Sequence, residues 1–285
     1  MNKKALEEIQ TILKKIGLYT GAIDGLIGFK TYEAVLSLEK NKSNKQSIRE
    51  IQTILANERV YFGAIDGVFG NGSKSAFNQL IPAPKVTDDL LRKIQKNCAL
   101  NFSDHINNNI SQYQIKTKAD LCAFIANIIH ESRGFNDLRE NMNYRAVRLL
   151  EVFPKYFKTI ASAQAVASKG AIAIADVVYG GRMGNNHDGD GFKYRGGGLL
   201  HLTGRQSYTL ASIGIGADRM LVDQPDLIIQ PEYAIKTALW FWKNKGCTRQ
   251  ANFGNFDEVC KIVNGGTNGI KERKILHEKA WNTLF

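Results

Sequence analysis

The chain of 285 residues has no run of about 18 apolar residues, the length a helix needs to cross a bilayer. Its most apolar stretch, residues 161–181, is rich in Ala and Ser and is interrupted by Lys169 and Asp176. The N-terminal stretch carries early lysines but neither an uninterrupted apolar region nor a small-residue cleavage site. Synthesis in the cytoplasm without a signal peptide is therefore expected. Cysteine is scarce, and Cys98, Cys122, Cys247 and Cys260 show no C-x-x-C spacing, which suggests neither a zinc cage nor a redox pair. Reduced, structural cysteines are expected, with Cys122 of LCAFIANII a small core residue. With 44% hydrophobic and 23% charged residues and only 5 Pro, the composition excludes low-complexity disorder, collagen and a disulfide-stapled mini-protein. Acidic residues are the minority, 27 against 38 basic, so the net charge is +11. That excess favours a polyanionic partner: nucleic acid, an anionic membrane surface, or a bacterial envelope. No nucleic-acid motif supports the first of these.

What is present begins with a repeat. Ile9–Leu38 and Ile51–Leu80 align without gaps at an offset of 42 residues, with 14 of 30 positions identical. Each copy reads I-Q-T-I-L, then Y-x-G-A-I-D-G, then a Gly three positions on. Apolar residues at helical spacing (Ile9, Ile12, Leu13, Ile16) predict a first helix, a tight turn at 21–25 or 63–67, and a second helix near Thr31 or Ser73. Thr31 and Ser73 are placed as N-caps. Units this small bury little core alone, so side-by-side packing is expected.

The pattern I-Q-x-x-L…G-x-I-D-G-x-x-G-x-x-[ST]-x-x-A resembles the small three-helix peptidoglycan-binding domain of bacterial wall hydrolases and phage endolysins. The resemblance implies two wall-gripping modules, residues 1–40 and 43–81, whose contact surface lies near the turns of Asp24, Gly25, Asp66 and Gly67. Taken singly, the two aspartates read as holders of their own turns, with Gly25 and Gly67 at positive φ. After Leu80, Pro82-Ala83-Pro84 marks a stiff, extended linker at 82–87, and residues 88–285 form the remaining domain.

That domain reads as mostly helical. Thr117 and Asp120 make a near-capping box, followed by an apolar stripe of Leu121, Phe124, Ile125 and Ile128. Glu131 falls on the edge of the stripe near the helix end, before the stop at Gly134. A carboxyl group carried toward a core at the end of a helix is the kind of group a glycosidase uses as proton donor. Glu140 lies nine residues on, past the break. It cannot share a helix face with Glu131 but can stand on the opposite wall of a cleft. A separation of about 6.5–9.5 Å leaves room for a water and gives inversion at the anomeric carbon. The glycine-rich segment 179–205 lets backbone approach an extended ligand. It is not a Walker loop. Asn186-x-Asp188-x-Asp190-Gly191 imitates a calcium loop but has Gly197 where Glu is required. His130-Glu131 fails as a zinc-protease motif because Gly134 stands where the second His belongs.

Together, H-E-S…E-N-M-N-Y…G-D-G-x-x-Y-R-G-x-G-x-x-x-L-T-G-R…I-V-N-G-G-T-N-G resembles the catalytic domain of glycoside hydrolase family 19, the chitinase-like family that includes many phage endolysins. The resemblance covers roughly residues 115–282. It implies a mainly α, lysozyme-like fold that cleaves a β-1,4 glycan with inversion and needs no cofactor or metal. By resemblance Glu131 matches the general acid, Glu140 the general base, and Thr203 the hydroxyl that helps hold the attacking water. Asn264 matches a position near the bound sugar. Tyr144 and Arg195 are candidate substrate contacts, although they and Arg205 can also serve structure. The chain departs from the family pattern at Gly197, commonly basic, and at His201, commonly Gln. His201 can still hydrogen-bond a sugar. Trp240, Phe241 and Trp242 read as packing of a late helix rather than a sugar platform. The expectation is a monomeric endolysin that acts on the wall after a holin-type partner permeabilises the membrane. A chitinase and a non-catalytic wall-binding protein are the alternatives.

Overall fold

A computed structural model describes residues 3–285, without the side chain of Lys42. The protein is mainly α, with 59% of residues in helices and only isolated bridges of β type among the described residues. In the first repeat α1 (Lys3–Lys15) is followed by α2 (Phe29–Ser37), then by short 3-10 turns at Leu38–Lys40 and Lys42–Asn44; the second repeat consists of α3 (Lys45–Asn57) and α4 (Asn71–Gln79). Then come α5 (Asp88–Ile94), α6 (Ser103–Asn109), α7 (Lys118–Glu131), α8 (Ala146–Val152), α9 (Ile160–Ala167), α10 (Ala171–Tyr179) and α11 (Asp190–Lys193). The chain closes with α12 (Arg205–Gly214), α13 (Met220–Asp223), α14 (Pro231–Asn244), α15 (Cys247–Asn252), α16 (Phe256–Asn264) and α17 (Ile270–Thr283). None of the described helices is long and apolar enough to cross a membrane.

Two compact units emerge, and neither follows chain order. One contains everything up to Asn97 with Ile110–His130 and Trp242–Phe285; the other contains Cys98–Asn109 with Glu131–Phe241. The first therefore joins the repeats to most of α7 and to the C-terminal helices.

In that unit the apolar sides of α1 (Leu6, Ile9, Leu13) and α3 (Ile48, Ile51, Leu55) are buried, and the two helices are neighbours. Each turn is organised from inside by a glutamine. Gln10 is buried; its Nε2 donates to Asp24 Oδ1 and to the Leu26 carbonyl, both at 3.0 Å, while its Oε1 accepts from the Asp24 and Gly25 amides. Gln52 repeats the pattern toward Asp66, Val68 and Gly67. Gly25 and Gly67 take φ of 69° and 77°, as the turn reading expects. Asp24 and Asp66 each accept from the amide two residues on, which closes an Asx turn. The glutamine hydrogen bond is the main reason both carboxyls sit below the usual carboxylate range.

Thr31 and Ser73 are not N-caps. The second helices start two residues earlier, capped by Gly28 and Gly70 without a side-chain bond. Both hydroxyl residues are buried inside the first turn, and Ser73 Oγ accepts instead from Gln52 at 3.4 Å.

The repeats are fastened to the C-terminal helices of their unit. Tyr32 stacks on Trp281 at 4.1 Å, the Phe29 amide donates to Asn282 at 3.1 Å, and Asn78 donates to the Asn252 carbonyl at 3.0 Å. Lys118, at the start of α7, donates to the Ile27 carbonyl at 3.0 Å and lies over the rings of Trp281 and Phe285. Burial lowers its pKa to about 8. The Pro-Ala-Pro segment is pinned as well: the Ala83 amide donates to the Lys116 carbonyl, and Lys118 to that of Ile81, both at 2.8 Å.

Helix α7 is buried on every side from Lys118 to Ile129, so the stripe read from its sequence is part of an all-round apolar surface. Thr117 Oγ1 caps the Asp120 amide at 3.1 Å, but the return arm of the capping box is missing. The Asp120 carboxyl accepts from the Trp242 indole at 2.8 Å instead, and burial raises its pKa to about 7. Trp242 is fully buried, as packing predicts, and all four cysteines are buried and free.

Candidate functional site

The second unit has two buried clusters. One gathers Met142, Leu149, Phe157, Ala163, Ile174, Ala175 and Val178; the other gathers Tyr194, Leu202, Tyr208, Ala211, Leu221, Val222 and Ile228. Glu140 lies on the strand-like loop that links them. Two residues on, Met142 enters the first cluster. Just before Glu140, Arg139 bridges to Gly197, which in turn bridges to Leu202 of the second. The Glu140 amide donates to the Gly196 carbonyl at 2.9 Å, and the Gly198 amide to the Leu138 carbonyl at 3.0 Å.

This pairing presents the Glu140 carboxylate to two donors, one for each oxygen. The Gly196 amide donates to Oε2 at 3.0 Å, and the Tyr179 phenol, from the last residue of α10, donates to Oε1 at 2.7 Å. Burial first, then the bond to Glu140 and its charge, push the Tyr179 phenol far above its ordinary pKa. Burial and the Glu140 charge also raise that of Tyr144, which packs edge-on to Phe153 at 5.4 Å. The turn 196–203 must stay small here. A Cβ on Gly196 would come 3.1 Å from Glu140 Cβ and 3.2 Å from His201 Nδ1, so Glu140 and His201 face the same point. His201 itself takes φ of 46°, and its carbonyl accepts from Thr203 Oγ1 at 3.0 Å. Thr203 is half-buried, and its hydroxyl lone pairs remain to accept from a water.

Glu131 is half-buried as the last residue of α7. The chain then turns through Arg133, Gly134 and Phe135, all at positive φ, and Phe135 stacks on Phe102 at 4.5 Å. Arg195 is committed to backbone: Nε donates to the Glu140 carbonyl at 3.1 Å and Nη1 to that of Phe192 at 2.7 Å. Arg205 clamps the buried Asp190 at 2.6 and 3.0 Å, so that carboxylate of the calcium-loop look-alike is tied to a guanidinium. Gly197 has no space for a side chain, because a Cβ would meet Tyr208 Oη at 2.3 Å, Ile228 at 2.7 Å and Arg139 Nη1 at 3.0 Å. Arg139, held by Tyr208 at 2.9 Å and by Asp226 at 2.7 Å, puts a guanidinium there instead.

Asn264 belongs to the other compact unit. It is exposed at the end of α16, where Nδ2 donates to the Asn268 carbonyl at 3.2 Å. Asp24, Gly25, Asp66 and Gly67 belong to that unit too. It also holds a groove of about 600 Å³ lined by residues that include Glu33, Lys40, Phe256, Asp257, Lys261 and Lys274, none of them from the motifs. The sequence reading missed Tyr179. Its signal was the aromatic residue that opens Tyr179-Gly180-Gly181, but its partner is 39 residues away.

No family model matches the chain. A Haemophilus influenzae protein described as a glycosyl hydrolase family 19 domain-containing protein is 36% identical over 158 residues, 55% of this chain and 76% of its own length. The chain belongs to glycoside hydrolase family 19. Two plant members are similar over a shorter stretch of 51 residues. The acidic 26 kDa endochitinase of Solanum lycopersicum is 43% identical and the acidic endochitinase pcht28 of Solanum chilense 41%, each over 18% of this chain and 20% of the relative. As a family 19 member, the chain is a glycosidase of chitinase-like type.

Proposed function

We propose that this glycosidase hydrolyses the β-1,4 glycan backbone of bacterial peptidoglycan, with inversion, as an endolysin that brings about host lysis. The observation that carries the chemistry is the Glu140 carboxylate, held ready by a donor on each oxygen. Glu131 protonates the leaving glycosidic oxygen as the C1–O bond breaks. A water oriented by Thr203 gives its oxygen to C1 and its proton to Glu140, so charge and atoms balance. Tyr144 and His201, beside Glu140, and Asn264 are proposed sugar contacts. Arg195 acts by holding the Glu140 backbone.

Choice of substrate rests on the repeats. Around both turns, equivalent positions present exposed apolar side chains, Ile23 and Leu26 in one copy and Ile65 and Val68 in the other, while the aspartates face their own turns. We assign these paired surfaces to wall binding; two weak sites on one chain raise its effective concentration at a wall. The net charge of +11 favours an anionic envelope. In this account the monomeric enzyme is made in the host cytoplasm and reaches the wall after holin-type permeabilisation.

The match to plant endochitinases supports a second reading, a chitinase on the same fold. Release of soluble fragments from purified sacculi and from colloidal chitin decides between them. The proposal expects release at least tenfold faster from sacculi. Faster release from chitin makes the chain a chitinase, and binding to sacculi without release from either makes it a non-catalytic wall-binding protein.

A further inference from the structure

We propose that Tyr179 is the positioning residue of the Glu140 carboxylate, fixing with the Gly196 amide the orientation in which Glu140 receives a proton from water. The inference rests on the reading of Glu140 as the base. Its ground is geometric. Each carboxylate oxygen has one donor, and the donors come from different elements, α10 and the turn 196–203. A glutamate side chain held at one oxygen only can still swing about its last bonds; held at both, it presents its remaining lone pairs in one direction.

The phenol is itself anchored. Tyr179 ends a helix whose Ile174, Ala175 and Val178 are buried in the same cluster as Met142. Its carbonyl accepts from Asn185 Nδ2 at 2.9 Å; Asn185 is buried and its Oδ1 accepts the Arg205 amide at 2.8 Å. Burial and the neighbouring carboxylate keep the phenol protonated, hence a donor, through the neutral range. The other titratable or charged groups around the pair are Tyr144 on the Glu140 loop, His201 and Arg195 on the turn side, and Arg182 beyond α10.

A role confined to packing and a role in positioning differ in pH dependence. Removing a donor from an ionised carboxylate makes that carboxylate a stronger base, so the acid limb of the rate profile moves to higher pH. The test compares Tyr179→Phe with its parent in a His201→Gln background, which removes the imidazole that faces the same point as Glu140. Glycan hydrolysis is followed on purified sacculi. The expected result is a kcat lower by about 10- to 100-fold, KM within about twofold, and an acid limb displaced upward by about one pH unit. A thermal-unfolding cycle with Glu140→Gln is measured in parallel, and the proposal expects the two substitutions to be non-additive. If Tyr179→Phe is poorly folded, Asn185→Ala, which frees the Tyr179 carbonyl from its anchor, takes its place in the rate profile, with a displaced acid limb again expected. Unchanged kcat, a lower kcat with an unmoved acid limb, or strict additivity overturns it. Full activity of Glu140→Gln alone would instead remove the assignment of the base, a separate failure.

Discussion

Replacing Gln10 by Leu keeps the volume of the side chain and deletes its four hydrogen bonds at once. Two of them end on Asp24 and Leu26 oxygens, and two satisfy the amides of Asp24 and Gly25, the latter buried. A net of about 1 kcal/mol for each bond, offset by about 1 kcal/mol from burying a leucine, leaves a loss of about 3 kcal/mol. Asp24→Ala removes only two bonds, at a half-buried edge, and should cost about 1 kcal/mol. The first repeat shares its unit with other elements, so a global midpoint averages over more than one structure. Hydrogen exchange of the full chain, read by mass spectrometry for the amides of residues 5–28, isolates the local opening. Gln10→Leu should speed exchange there about 100-fold, and Asp24→Ala about fivefold. If Asp24→Ala opens the turn as much as Gln10→Leu, the glutamine is not its keystone and the account of both repeats fails.

Other expectations concern buried groups and close contacts. His277 is buried against Phe256 at 4.0 Å and its pKa is lowered to about 3; a base whose folded pKa lies below its unfolded value contributes stability above about pH 6.5 that is lost on acidification. A His277→Gln variant should therefore lose less stability than wild type between pH 6.5 and 4.5, with about 1.4 kcal/mol per pH unit at stake; equal losses in urea unfolding contradict this. Asp120 runs the other way. Its folded pKa of about 7 lies above the unfolded value, so its contribution is present below about pH 3.8 and lost as pH rises to 7. Asp120→Asn, which keeps an acceptor for Trp242, should raise stability at pH 8 by on the order of 2 kcal/mol and change little at pH 4; no gain at pH 8 refutes the buried-acid reading. Gly197→Ala drives a methyl group into Tyr208 and Ile228 and should cost about 1–3 kcal/mol with loss of activity, while a melting midpoint equal to wild type would mean that the turn yields easily.

Local features were readable from the sequence where a residue acts on its near neighbours. The repeat showed itself as identity at a fixed offset, and Gly25 and Gly67 had to leave ordinary φ because an Asp-Gly turn leaves no alternative. The helical class followed from apolar spacing. Helix starts were misplaced because hydroxyl residues also serve as inward acceptors, as Ser73 does for Gln52, while Gly28 and Gly70 cap by backbone geometry alone. The I-Q pair was visible in both copies, yet nothing local says that its amide reaches 14 residues forward to an aspartate. The candidate site shows the same divide. Glu140 and Thr203 stand in recognisable motifs, whereas the bond from Tyr179 exists only because α10 folds back to the Glu140 loop. The division into compact units was hidden for a related reason: α7 is followed in its own unit by helices more than 100 residues later.

The most direct test of the central claim measures soluble glycan released from outer-membrane-stripped sacculi by wild type, Glu131→Gln and Glu140→Gln, with products identified by mass spectrometry and binding to sacculi measured in parallel. The account predicts glycan fragments from wild type, and release reduced at least 100-fold in both variants with binding unchanged. Lysis by Glu131→Gln or Glu140→Gln at the wild-type rate would contradict it.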